Sequence, residues 1–408
     1  MLTKIANFSL VIPLALLSFA GIAINDNYEL GIQGNIYFIL LRTEFWLLIS
    51  FIFNFNRISN FNYSSLNKNT KKIILFFPLM DIFLILLSTF INFIGKTGYT
   101  ETINVNTFRV LFYLFLWFLW ALSFIVATSK NNQLKFLEIL AIMPLPNLII
   151  LAFSPIVDFK SLSYMSLQGI YSWGSRFQGV SSNPNVAAQV SFISLFALYV
   201  IFQKNQIIFS KLSSLLMQFA FFGNILIILL TGVRTIYISL TIFMIICFYR
   251  FFIKNFLFLL FGTSSFFLFL NLKFVDLFLP PGTFERGGRG ELWNYYYKFL
   301  PNFFGYGINW KYFTSYREYI DDVIDPHNLY IHASLIGGTL LLFNVILKQF
   351  FLLRIANNNS TFKWPIISLL AYMVLSGYFS GNLNGFSQHI VPITMLYLDD
   401  YYQIKLKI

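Results

Sequence analysis

Twelve runs of mostly apolar residues, separated by more polar stretches, leave this chain few ways to fold. Their approximate cores are 4–24, 36–55, 73–94, 108–127, 137–156, 184–203, 212–231, 234–252, 255–271, 328–347, 364–381 and 386–399. A helix needs about 20 residues to cross the hydrocarbon of a bilayer, and most of these runs supply them. With 57% hydrophobic residues and a mean hydropathy of +0.70, a soluble globular protein is excluded, because no soluble domain hides so much apolar surface. The expected fold is an all-α, polytopic membrane bundle of about 12 transmembrane helices. The first run follows Lys4 as a signal peptide would, but it is too long for one and more spans follow, so it reads as retained. Internal repeats and Pro/Ser-rich linkers are not visible, and residues 1–408 read as a single integral membrane domain. Fifty-two phenylalanines, with abundant Ile, Asn and Lys, reflect an A/T-rich gene as much as a structural demand.

The net charge of +12 would suggest nucleic acid in a soluble protein, but topology explains it. With the N-terminus in the cytoplasm, the inner segments collect sixteen basic residues, among them Arg57, Lys68, Lys71, Lys72, Lys348 and Arg354, against three acidic ones, Glu138, Asp399 and Asp400. The outer segments balance at eleven of each sign. This is the positive-inside bias of a multi-pass protein with both termini cytoplasmic, and it removes the argument for a nucleic-acid partner. Arg42, Glu44 and Asp81 fall within spans, where they pair to fix helix packing or form a proton pathway.

Two outer segments are long, 157–183 and 272–327. The second holds GELWNYYYKFLPNFFGYGINWKYFTSY, rich in residues that favour the membrane–water boundary. Leu292, Tyr295, Tyr296 and Phe299 recur at helical spacing, which predicts a short helix lying on the outer surface. Gly305-Tyr306-Gly307 then turns the chain back.

Four outward-facing stretches carry unusual chemistry. In RFQGVSSNPN, Asn183 caps a helix whose first residue is Pro184, while Arg176 reads either as a surface ion pair or as a ligand contact. In TGVRTIYISL, Arg234 lies between two apolar runs and must pair, snorkel to lipid phosphate or bind a ligand, because burying it alone costs several kcal/mol. The adjacent Thr-Gly pair at a helix start offers backbone N–H groups to an anion. In FERGGRGELW, Gly287, Gly288 and Gly290 let the backbone approach a ligand, and Arg286 and Arg289 present forked donors suited to phosphate. Glu285 and Glu291 offer the plainer alternative of a solvated ion-pair cluster, worth only about 0–1 kcal/mol per pair. In DPHNLYIH, His327 stands at the membrane surface, where an imidazole exchanges protons near neutral pH, although such a histidine is usually just a boundary residue. His332, five residues on, is turned away from it, so the two form no metal pair. With His389 remote and Cys247 the single cysteine, no metal site is expected.

Together these stretches resemble the O-antigen ligase / O-antigen polymerase superfamily of integral membrane glycosyltransferases. The resemblance rests on Arg176, Gly179 and Asn183-Pro184-Asn185, then Thr231-Gly232-Val233-Arg234, then Arg289 with Trp293, and finally His327-Asn328. Order and spacing agree over residues 170–345, and the first 150 residues match only in hydropathy. Thr231, Val233 and Thr235 depart from the smaller residues usual there. The resemblance implies a GT-C-like bundle in the bacterial inner membrane, with a large periplasmic loop containing short interfacial helices. It also implies transfer of a glycan from an undecaprenyl-diphosphate carrier to a sugar hydroxyl, with no cofactor and no metal. Arg234 and Arg289 then carry the diphosphate and His327 acts as base. Arg176, Arg286, Glu291, Trp293 and Asn328 complete the substrate contacts, with Glu291 a reserve base that its arginine neighbours keep weakly basic.

Polymerase and ligase share that donor and differ in acceptor. A/T-rich usage, common in surface-polysaccharide gene clusters, favours the polymerase; a ligase would deliver the chain to lipid A–core. The implied partners are the lipid-linked oligosaccharide, membrane lipids and, for a polymerase, a chain-length regulator protein. A different class, a transporter, would use Arg42, Glu44 and Asp81 as an intramembrane relay.

Overall fold

In the computed structural model, the described residues are 2–16, 43–94, 105–128, 136–153, 177, 179, 184–204, 211–254, 289–300, 302–309, 326–359, 362–380 and 387–405. Every regular element among them is helical. In chain order they are α1 (Leu2–Ala15), α2 (Thr43–Ser59), α3 (Lys68–Lys71), α4 (Phe77–Ile94), α5 (Val105–Thr128), α6 (Phe136–Ile142), α7 (Leu145–Phe153) and α8 (Pro184–Lys204). There follow α9 (Lys211–Thr231), α10 (Arg234–Lys254), α11 (Arg289–Tyr297), α12 (Leu329–Asn358), α13 (Lys363–Ser380) and α14 (Ser387–Lys405). Three helices are long and apolar enough to cross a membrane: Lys68–Asn92, Pro184–Gln203 and Leu329–Asn358. Large apolar side chains such as Phe83, Phe90, Phe222, Phe343 and Phe350 are more than half exposed on their helices, which suits lipid and not water. The span expected over 255–271 lies outside the described residues.

The chain divides into two compact units, Met1–Phe53 with Thr128–Glu285, and Asn54–Ala127 with Arg286–Ile408. In the first unit α8 is the centre. Ala187, Ala188, Phe192, Leu195 and Phe196 have no exposed surface, as expected of a helix apolar all round. It packs against α6, α9 and α10. The rings of Phe192 and Tyr199 meet Phe243 edge-on, at 6.0 and 5.3 Å between centroids. The run expected as one fifth span is broken instead. Pro144 and Pro146 lack the N–H groups that would continue the ladder, and a turn separates α6 from α7. The Ala141 carbonyl is taken by the Ser194 hydroxyl of α8 at 2.7 Å, and Ser194 accepts from Asn224 at 3.0 Å.

In the second unit α4 and α12 run antiparallel. The Ser88 hydroxyl donates to the Ile336 carbonyl at 2.7 Å, and fifteen residues along α12 the Phe77 and Phe351 rings touch at 5.9 Å. The span expected at 328–347 continues to Asn358, but it is broken at Gly338 (φ 68°, ψ −161°). The break is filled by residues 302–309. The Thr339 N–H donates to the Asn302 carbonyl at 2.9 Å, and the Tyr306 N–H to the Leu335 carbonyl at 2.6 Å. Asn92 donates to the Gly305 carbonyl at 2.9 Å, and the Ile308 N–H donates to the Thr89 hydroxyl at 3.1 Å. Gly338 lies about 14 Å along α12 from its first residue, so part of the loop expected outside is packed into the helix pair. Irregular backbone at such depth is tolerated where protein, not lipid, surrounds it. The turn expected at Gly305-Tyr306-Gly307 is present, with both glycines at positive φ.

Candidate functional site

The predicted helix at the start of the large loop exists as α11, with the backbone of Arg289 at its head. One side of it is exposed at Asn294, Tyr297 and the adjoining Lys298, and the other is packed inward. Tyr296 is fully buried in the cluster that holds Leu84, Leu114, Ile331 and Leu335, and Trp293, Tyr295 and Phe299 pack beside it. Trp293, expected to contact substrate, ties two parts of the chain together. Its indole N–H donates to the Pro326 carbonyl at 2.9 Å and its ring meets Tyr378 edge-on at 5.3 Å. The two ends of the long loop are thus tied together, with Arg289 one turn ahead of the tie and His327 one residue beyond it.

His327 itself is exposed and has φ 47°, the one non-glycine at positive φ among the described residues. The cause is local. Trp293 fixes the Pro326 carbonyl on one side. On the other, Asn328 takes an extended conformation (φ −144°, ψ 117°) so that its side chain caps α12, accepting from Tyr330 N at 2.9 Å and Ile331 N at 3.1 Å. Between those anchors the chain reverses through the left-handed region, a conformation that costs roughly 1–3 kcal/mol and concentrates at functional sites. Asn328, only 1% exposed, therefore positions His327, its side-chain oxygen accepting the two N–H groups of the cap.

In the other unit the first two motifs meet. The Phe177 N–H, next to Arg176, donates to the Leu230 carbonyl at 2.8 Å, at the end of α9. Phe177 is buried against Leu148, Ile150 and Ile227. Gly179 (φ 60°) leaves room for the Asn147 side chain, which a Cβ would strike. Gly232 (φ 64°) closes α9, and the Val233 carbonyl accepts from Ile236 N and Tyr237 N at 3.0 and 3.1 Å to start α10. Arg234 is the first residue of α10, where free N–H groups and the helix dipole favour an anion. Thr231, Val233 and Thr235 all occupy buried positions. Arg176 and Arg286 lie outside the described residues, and of Arg234, Arg289 and Glu291 only the backbone is described.

Sequence reasoning missed a polar centre within the second unit. Arg42 is outside the described residues, but Asp81 is buried and accepts from Asn344 at 2.7 Å. Lys348, counted with an inner loop, is on α12 because that helix continues past it, and its ammonium donates to the Gln388 carbonyl at 3.2 Å. Asp81, Lys348, Gln388, Trp117 and His389 border a cavity of about 40 Å³, a size that suits a water molecule. The Trp117 and His389 rings stack at 5.2 Å and 3°. The signal was present: Asn344 and Lys348, four residues apart in an apolar helix, share one face. Asp81→Asn alone and Lys348→Met alone are each expected to cost about 1–3 kcal/mol, since the two opposite charges border one cavity and each removal leaves the other without its counter-charge. The double substitution should cost much less than the sum. Thermal unfolding of the four proteins in one detergent measures this, and strict additivity would show that the two charges do not interact.

No protein-family model, curated protein or solved structure gives a significant match to this chain.

Proposed function

We propose that the chain is a bacterial inner-membrane glycosyltransferase of the O-antigen polymerase / ligase kind, with about twelve transmembrane helices in a GT-C-like arrangement and both termini cytoplasmic. Its donor is an undecaprenyl-diphosphate-linked oligosaccharide, and its product is a lengthened polysaccharide at the periplasmic face. The observation that carries this reading is the constrained His327, held in a left-handed turn by the Trp293 tie that brings the Arg289 helix beside it.

The chemistry suits that pair. An acceptor sugar hydroxyl attacks the anomeric carbon of the donor, and its proton passes to the His327 imidazole. The bond from the anomeric carbon to the diphosphate oxygen breaks, and undecaprenyl diphosphate leaves with the electron pair. Arg289 meets the negative charge gathering on the phosphate oxygens, a service commonly worth a few kcal/mol per positioned donor. The donor-binding roles that the resemblance assigns to Arg234, Arg176, Arg286 and Glu291 remain expectations from the sequence.

Purified protein given undecaprenyl-diphosphate oligosaccharide, with and without lipid A–core, tests the reading by product size. A ladder of longer lipid-linked chains without lipid A–core is expected. Product on lipid A–core alone makes the protein a ligase, and no transfer with either acceptor from folded protein sinks the proposal.

A further inference from the structure

The second unit carries a groove of about 750 Å³ between the α3–α4 stretch and α12, remote in sequence from the residues assigned to transfer. One end is formed by Lys71 and Lys72, and its walls include Phe76, Leu79, Phe83 and Phe351. No carboxylate lines it. Phe76 and Phe83 are more than half exposed there, so an apolar surface lies open beside two cations.

The backbone is shaped for this. Asn67 caps the opening turn, accepting from Thr70 N at 2.7 Å. The chain then widens into a π-helical turn over Lys72–Phe76, where the Phe77 N–H reaches back five residues to the Lys72 carbonyl. Pro78, which cannot close an α-helical bond to Ile74, follows at once. Lys71 and Lys72 are thereby set differently. The first donates to the Ser64 carbonyl at 2.9 Å, and the second stands 4.9 Å from the centre of the Phe351 ring on α12. Each ammonium has three donors, so a single contact leaves others for a ligand.

Length identifies the occupant. From Lys72 to Phe83 the helix rises about 16 Å, close to half of the roughly 30 Å hydrocarbon core. An occupant with its charge on the lysines and its apolar part along Phe76, Leu79 and Phe83 therefore fills one leaflet. We propose that this groove binds one anionic phospholipid of the lysine-rich leaflet, its phosphate on Lys71 and Lys72 and an acyl chain against α4 and α12. The proposal does not rest on the glycosyl-transfer reading.

Native mass spectrometry of the whole protein, released from micelles holding equal amounts of phosphatidylglycerol and phosphatidylcholine, provides the test. One retained phosphatidylglycerol is expected. Lys71→Gln with Lys72→Gln should lower the preference over phosphatidylcholine on the order of thirtyfold, from the usual contribution of each lysine near an anionic headgroup. Lys71→Arg with Lys72→Arg should keep it, and Leu79→Trp, which fills the groove, should abolish retention even if the glutamine pair fails to fold. Equal retention of the two lipids by the unmodified protein, an unchanged preference in the glutamine pair, or displacement of the lipid by inorganic phosphate would overturn the proposal.

Discussion

His327→Gly is expected to abolish glycan transfer while leaving the fold intact or slightly firmer. The imidazole is exposed, so its removal opens no core cavity. The backbone at φ 47° is one that glycine adopts freely and histidine does not. Relief of that conformation should raise stability by up to about 1 kcal/mol. Loss of a general base, in contrast, typically costs 10²–10⁴ in rate. A base therefore separates from a packing residue by opposite signs in two measurements, thermal unfolding and transfer from the lipid-diphosphate donor. Arg289→Ala belongs to the same experiment, with an expected loss of roughly 10²–10³ and partial recovery in Arg289→Lys. Unimpaired transfer by normally inserted His327→Gly protein would remove the histidine from the mechanism.

The second large effect is structural. Gly338→Ala places a Cβ against the Phe303 and Asn302 carbonyls and the Gly305 N–H, all of them backbone, which cannot swing aside. The conformation at φ 68° and ψ −161° is moreover almost closed to any residue with a Cβ. Gly305 is caught from the other side, its own missing Cβ lying 2.6 Å from the Ile336 carbonyl oxygen. Relaxation must expel the 302–309 segment and leave the Leu335 carbonyl without its Tyr306 partner. A loss of about 4 kcal/mol or more is expected, at the upper end for one substitution, with new protease cleavage between residues 302 and 309. Gly377→Ala is the control. Its Cβ would meet side-chain atoms and no backbone, Leu329 Cδ2 at 3.0 Å, Gln388 Nε2 at 3.2 Å and Leu329 Cβ at 3.4 Å, and should cost much less. Equal behaviour of the two variants would mean that the helix break is not held by the returning segment.

Much of the helix layout was legible because its signals are local. Asn183-Pro184 marks the start of α8, Thr231-Gly232-Val233 marks the junction before Arg234, and the spacing of Leu292, Tyr295 and Tyr296 marks α11. The break at Gly338 was not legible, since Ile336-Gly337-Gly338-Thr339 sits in an apolar run and the groups that satisfy its backbone come from Asn302 and Tyr306, far away in sequence. Lys348 was misread for a related reason. Hydropathy falls at Lys348-Gln349, but the helix continues because Phe351, Leu352 and Ile355 resume an apolar face and Gln388 supplies an acceptor. At the candidate site the sequence singles out His327, Asn328 and Trp293, and the structure joins them through the Pro326 carbonyl and the cap of α12. The division of labour among them depends on hydrogen bonds and a backbone angle that no residue letter encodes.

The interrupted α6–α7 segment bears on how the protein is made. Its halves, seven and nine residues long, reach only about 10 and 14 Å, and neither could reside in lipid alone with carbonyls exposed at the break. The group that receives the Ala141 carbonyl is on α8, which leaves the ribosome later, and Asn224, which steadies that group, leaves later still. The bond that covers the Ala141 carbonyl can therefore form only after α8 has been made, so this segment completes its hydrogen bonding with residues synthesised after it.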